Sequence, residues 1–252
     1  MKTLAIAFLT RLSLAMLPGI GSLTAADRTV VLTFDDSVAS HATFVAPLLK
    51  QHGFGATFFI TEGFEFLEDK RHYMTWEQIR ELHDAGFEIG NHTRRHAAVP
   101  RQTPEQLDAD IAHIEARCAE HGIPRPTSFC YPGYRTNAAA LKVLSLRGYR
   151  HARAGGARAH DPRHDHPLLL PQAFDGKPDS TLEDFKAAVA QARDGRVAIM
   201  TFHGVPDIKH PWVNTDPDTF KSYLRHLKEE GVRVIALRDL AHHAPASAET
   251  RR

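Results

Sequence analysis

From residue 28 onward, short runs of β-branched and aromatic residues alternate with segments whose apolar residues recur at helical spacing. That alternation restricts the chain to parallel βαβ units. Residues 29–34 (TVVLTF) read as a buried strand ending in two acids. Residues 41–52 carry Phe44, Val45, Leu48 and Leu49 at helical spacing before Gly53, and a second strand is predicted at 56–60. Thr75 caps a helix that closes at Ala85-Gly86, followed by a third strand at 87–90. Thr103 and Pro104 open a helix running to about His121. A fourth strand covers 127–131, and a helix at 137–147 stops at Gly148. The stretch 149–179, rich in His, Arg, Asp, Pro and Gly, reads as short strands at 149–152 and 168–170 between exposed loops. A helix at 181–193, a strand at 197–202, a helix at 217–230 and a strand at 232–236 complete the pattern. There is no internal repeat and no linker long enough to divide the chain, so one domain of about seven strands is expected. Chemically capable residues gather at the C-terminal ends of strands, which favours a distorted (β/α)7 barrel.

At 252 residues, 42% of them hydrophobic, the chain is long enough to bury such a core. With 31 Lys+Arg against 30 Asp+Glu, the net charge of +1 exerts no global pull toward nucleic acid or an anionic membrane. Residues 1–26 have the form of a signal peptide: Lys2, an apolar stretch from Leu4 to Leu23, and small residues suited to cleavage after Ala25 or Ala26. Arg11 interrupts the apolar run and argues against a stable membrane span. An exported protein, periplasmic or secreted, is therefore expected, with an uncleaved anchor or leader as the alternative. The barrel is assigned to 27–243 and a frayed tail to 244–252. Cys118 and Cys130 could form one disulfide or remain two buried thiols.

Three clusters at strand ends carry chemistry. In Thr33-Phe34-Asp35-Asp36, adjacent carboxylates point in different directions, so one can bind a metal while the other faces a substrate; the plainer reading is a turn, where Asp is common. In Asn91-His92-Thr93-Arg94-Arg95-His96, the histidines are four apart, a spacing that brings both imidazoles to one side of a helical turn. Thr93 stands where a zinc-protease helix needs Glu, so that motif is excluded, and its hydroxyl is placed to hydrogen-bond within the loop. Asp36 with His92 and His96 would make a two-His, one-carboxylate site with open positions; exposed loop histidines are the alternative. In Thr201-Phe202-His203-Gly204, a histidine leaving an apolar strand suits a general acid, or a simple turn. Beyond these clusters, Pro211-Trp212 reads as loop packing or a sugar-stacking platform, and Trp76 as core. The His- and Arg-rich run at 151–166 reads as a solvated loop.

Taken together and in this order, TFDD at 33–36, HTRRH at 92–96 and FHG at 202–204 resemble the NodB-type polysaccharide deacetylase family, carbohydrate esterase family 4. The resemblance runs from about Thr29 to Leu240 and implies a distorted (β/α)7 barrel holding one divalent cation, Zn2+ first, with Co2+, Ni2+ or Mn2+ as alternatives. It implies removal of N-acetyl groups from a glycan, or O-acetyl groups in some members. Asp35 then corresponds to the general base, Asp36, His92 and His96 to the metal ligands, and His203 to the general acid. Tyr131, Pro132 and Gly133 correspond to the substrate and oxyanion segment, with the N–H near Gly133 as donor.

This chain departs from the family pattern. Cys130 occupies the position of an arginine that pairs with the base, and Gly133 that of an aromatic. Losing that arginine removes a bidentate, permanently charged partner, for which Arg135, Arg150 and Arg153 are the candidate substitutes. The usual Asp-Trp segment is not found within 149–179, and Phe202 replaces a leucine. Two other functions remain open: hydrolysis of a small amide, imide or formyl-amino compound on the same fold, and non-catalytic glycan or metal binding. Retention of both Asp35 and His203 speaks against a mere binder.

Overall fold

β1 (Thr29–Phe34) is buried on both faces, and this decides the architecture. Val30, Leu32 and Phe34 pack into one apolar cluster and Val31 into another. β7 (Val197–Phe202) divides the same way: Ala198, Met200 and Phe202 join the first cluster, Val197 and Ile199 the second. In β2 (Thr57–Ile60), Phe58 and Ile60 face the first cluster and Phe59 the second. A strand apolar on both faces must lie between a layer of helices and a closed interior. The computed structural model, which describes residues 28–243, has that form. The expected signal peptide at 1–26 and tail at 244–252 lie outside the described residues.

The remaining strands are β3 (Glu88–Asn91), β4 (Ser128–Cys130), β5 (His151–Arg153), β6 (Phe174–Asp175) and β8 (Arg233–Ile235). All pairings between strands are parallel, in the order β5-β4-β3-β2-β1-β7-β6, with β8 also on β1. One edge of β1 runs beside β7 throughout, while the other is shared: Thr29–Val31 pairs with β8, and Thr33 and Phe34 with β2. The sheet curls until one connecting segment joins its ends. Leu170 donates to Ala152 and accepts from Ala154 (2.9 and 2.8 Å), and Ala173 donates to Ile199 on the far side (2.8 Å). The distorted (β/α) barrel is thus borne out. The expected strand at 168–170 contributes a single bridge, from Leu170 to Arg153, because Pro171 has no N–H to extend the ladder.

The helices begin where their caps indicate. Thr75 and Gln78 form a capping box at α2 (Trp76–Asp84), Thr103 and Gln106 at α3 (Pro104–Glu120), and Thr181 and Asp184 at α5 (Leu182–Val189). Asn137 caps α4 (Ala138–Leu146) and Asp216 caps α6 (Pro217–Glu229). The helix expected at 41–52 opens as a wide π turn, His41–Val45, before α1 (Ala46–His52). Pro47 has no N–H for the preceding turn, and the wide turn accommodates that loss. Among the described residues no helix is long and apolar enough to cross a membrane. Cys118 and Cys130 are both free and buried; Cys118 lies in the helix-side core and Cys130 in the barrel interior.

The helix-side core is built on aromatic contacts. Phe202 stacks on Phe34 at 5.5 Å and meets Phe220 edge-on at 5.3 Å, with Phe174 at 5.8 Å. Truncating it empties the junction of β1, β7 and α6, so Phe202→Ala should cost about 3–5 kcal/mol, read from urea unfolding midpoints.

Candidate functional site

The period that sends Val31 and Thr33 inward sends Asp35 inward too, at the mouth of the barrel. Its N–H still donates to Phe202 O of the neighbouring strand (2.9 Å). The chain then turns through Asp36 (φ 71°) and Ser37 (φ 56°), both left-handed, so the two carboxylates diverge as expected. Asp35 meets Arg153, which is fully buried at the end of β5. The guanidinium donates to Asp35 Oδ2, to Gln172 Oε1 (2.9 Å) and to the Cys130 sulfur (2.8 Å). It lies between the rings of Phe59 and Tyr134, 5.6 and 5.4 Å from their centres. Of the three candidate substitutes for the missing arginine, the structure brings Arg153 to the base. Burial by itself would raise the Asp35 pKa, but the charge of Arg153 reverses that and holds it below the ordinary carboxylate value.

His92 and His96 converge on Asp36. Their Nε2 atoms lie 3.4 and 3.2 Å from Asp36 Oδ1, and the three ligand atoms fall within 4.8 Å of one another. His92 is oriented from behind by a 2.8 Å hydrogen bond between Nδ1 and Cys130 O. The expectation of a helical turn is corrected: residues 92–96 form a loop in which Thr93 (φ 65°) and His96 (φ 53°) are left-handed. The Thr93 hydroxyl has no hydrogen-bond partner, and it is the Thr93 N–H, donating to Asn91 Oδ1 at 2.9 Å, that ties the loop. Backbone strain of this kind concentrates where a structure must hold side chains in one place.

The donor set fits a divalent cation. Asp36 Oδ1 is buried without a hydrogen-bond partner, an arrangement that is costly unless a charge satisfies it. Burial opposes ionisation of Asp36, but the imidazoles gathered around it, His92 first, hold its carboxyl far below the usual range. Burial pushes His96 down to about 4, the direction that favours the neutral ring a cation needs. Asp35, His92 and Cys130 also cluster, but the guanidinium bonded to both Asp35 and Cys130 would repel a cation there.

Thr61, Glu62 and Gly63, after β2, hold both sides of this centre, and sequence reasoning missed them. Ser37 Oγ donates to Thr61 O and accepts from Thr61 N, both at 2.9 Å. Glu62 accepts from the Trp76 indole (2.8 Å) and Arg117 (3.2 Å) and pairs with His113 (2.6 Å), fixing the loop to α2 and α3. A Cβ on Gly63 would stand 2.8 Å from His96 Cβ.

His203, opposite the imidazole pair, places Nε2 3.9 Å from Asp36 Oδ2. A pocket of about 460 Å3 opens between them, walled by Phe64, His210 and Trp212 on one side and by Gly133, Tyr134 and Asp175 on the other. Gly133 and Trp212 are where the sequence places them, and Trp212 is 67% exposed. The expected substrate contact of the Tyr131 side chain is corrected: it is buried in the outer core and its hydroxyl donates to Leu168 O (3.0 Å). Pro132 is also buried and does not line the pocket. Tyr134, one residue past the expected aromatic position, lines it instead and donates to Asp175 Oδ1 (3.1 Å). Asp175 ends β6, which begins six residues after the start of the strand expected at 168–170.

A family model described as polysaccharide deacetylase matches residues 22–152. The chain is 30% identical to the peptidoglycan-N-acetylglucosamine deacetylase of Bacillus cereus over 125 residues, 49% of this chain and 55% of that protein. The chain thus spans about half the length of that curated relative. A family 4 acetyl xylan esterase from Clostridium thermocellum, in complex with a cobalt ion, superposes with a TM-score of 0.59 at 23% identity, over 85% of this chain and 91% of that one. A family 4 carbohydrate esterase from Streptomyces lividans, in complex with acetate, gives 0.55 at 20% identity, over 82% and 91%.

Two substitutions test the site's construction. Arg153→Met leaves a buried carboxylate without its main partner and should cost about 3–5 kcal/mol at neutral pH. In the unmodified protein the depressed Asp35 pKa makes the pair's contribution complete above the unfolded value and lost as pH falls through the folded one. The difference between the two proteins should therefore narrow in acid, as denaturant melts across pH would read. Gly63→Ala should displace His96 and weaken Zn2+ binding roughly ten-fold or more in calorimetric titration, the range for residues that orient ligands.

Proposed function

The chain belongs to the polysaccharide deacetylase family, and on that premise we propose that it is an exported, divalent-cation-dependent deacetylase acting on an N-acetylated glycan. The observation that carries the reading is the convergence of Asp36, His92 and His96 beside the Asp35–Arg153 pair, with His203 across the same pocket. Asp36, His92 and His96 would hold the cation, which would supply Lewis acidity toward the acetyl carbonyl and the attacking water.

This chain's residues supply the rest. Asp35, ionised beside Arg153, accepts a proton from the water as it attacks. Arg153 also fixes the carboxylate, leaving the buried Oδ1 without a hydrogen-bond partner and available to that water. The turn at Gly133 (φ 62°) brings backbone to the pocket wall without a Cβ, where an N–H can meet the developing oxyanion. His203 gives a proton to the departing nitrogen or oxygen. Phe64 and Trp212, 48% and 67% exposed at the mouth, offer faces on which a pyranose can stack. They favour a glycan over a small amide. The relative that acts on peptidoglycan supports N-acetyl groups as the target, and the form of residues 1–26 supports export.

Acetate release from N-acetylglucosamine oligomers, peptidoglycan and acetylated xylan tests the reading. Zinc-supplemented protein should release acetate, chelator-stripped protein should not, and Asp35→Asn should lose at least about 100-fold in kcat. Equal rates from the stripped protein and the variant would overturn the mechanism. Formate or ammonia from a small amide, with no acetate from any glycan, would overturn the substrate.

A further inference from the structure

We propose that His41 is a positioning residue for His203, acting through the backbone hydrogen bond between the two. His41 is completely buried on the π turn after β1 and takes no part in the chemistry above. Its Nε2 lies 2.8 Å from the His203 carbonyl oxygen. A carbonyl oxygen only accepts, so Nε2 carries the proton and Nδ1 is the bare nitrogen. Burial keeps the ring neutral, with its pKa pushed down to about 4.

Nothing else in the surroundings calls for an imidazole. The ring packs edge-on against Phe34 (5.6 Å) and tilted against Phe58 (5.5 Å), and Nδ1 is buried without a partner. An apolar side chain would fill this space without stranding a nitrogen, so the Nε2–H bond is the one interaction that only a polar residue supplies. It matters because, among the described residues, no side chain hydrogen-bonds Nδ1 of His203, which is buried without a partner. The direction of that imidazole is set by its backbone. Three further contacts fix the same strand end: Phe202 O accepts from Asp35 N (2.9 Å), Gly204 O from Thr215 N (3.1 Å), and Ser40 Oγ from Val205 N (2.8 Å). Ser40 and His41 are consecutive, so the π turn grips the peptide units on either side of Gly204. Wide turns of this kind recur at functional sites.

The inference rests on His203 as the proton donor, and the choice of substrates separates the two. A proton donor matters when the leaving group is a poor one, such as an amine, and little when it is 4-nitrophenolate. In zinc-loaded protein, His41→Leu should lower kcat on an N-acetylglucosamine pentamer by roughly ten- to hundred-fold, part of what a positioned acid contributes. KM for the pentamer, turnover of 4-nitrophenyl acetate and Zn2+ affinity should stay within about two-fold, the change expected when only proton donation is disturbed. His41→Gln, which can present an N–H near the Nε2 position, should restore most of the loss, and thermal melts report whether each variant is folded. Parallel losses on both substrates, no loss on either, or a Gln variant no better than Leu would overturn the inference. A His203→Ala control that lacks the leaving-group split would overturn the acid assignment and this inference with it. If that control shows the split and His41→Leu does not, the positioning role alone is refuted.

Discussion

The ion pair between Asp35 and Arg153 crosses the mouth of the barrel from its first strand to its fifth. Both groups are buried, and neither could be held there alone, because an isolated charge in a protein interior is strongly unfavourable. The pair therefore constrains more than a carboxylate. Arg153 reaches Asp35 because the sheet curls, and its guanidinium packs against the rings of Phe59 and Tyr134. Cys130 offers Asp35 only a long thiol contact of 3.5 Å and leaves room for a guanidinium arriving from the neighbouring strand. The same charge relation survives with its donor moved one strand along the sheet.

Around that pair, left-handed backbone marks the positions where a side chain must leave a strand end at an unusual angle. Asp36, Thr93, Gly133 and Tyr134 all have positive φ, and all but Thr93 line the pocket. Glycine adopts such angles freely. The others persist because neighbouring contacts hold them, as the Thr61–Gly63 loop does through Ser37 and His96.

The parts legible in the sequence were those encoded by period or by adjacency. Strand and helix alternation, the capping residues and the strand-end position of Asp35, Asp36 and His203 all follow from local pattern. The convergence of His92 and His96 on Asp36 was readable as chemistry, but its route was not: the four-residue spacing suggested a helical turn, and the chain uses a loop with two left-handed residues instead. Contacts between distant segments were illegible. Arg153 could be named as one of three candidates, but only the curl of the sheet selects it. Tyr131 misled because its position in the motif says nothing about which side of a three-residue strand its ring will take. Asp175 was hidden because Pro171 interrupts the ladder and defers β6 beyond the apolar run that resembled a strand. Gly63, Glu62 and His41 carry no motif at all, and their roles exist only in three-dimensional contacts.

The shared edge of β1 has a consequence for how the molecule comes together. Thr29 pairs with Val197 on one side and with Arg233 on the other, so the strand that bears the two acids is flanked by partners far along the chain. Such long-range pairing requires large loops to close before it yields contacts, which slows folding. During translation β1 can find β2 early, but its other neighbours only once β7 and β8 have emerged. Until then one edge of a strongly apolar strand stays uncovered.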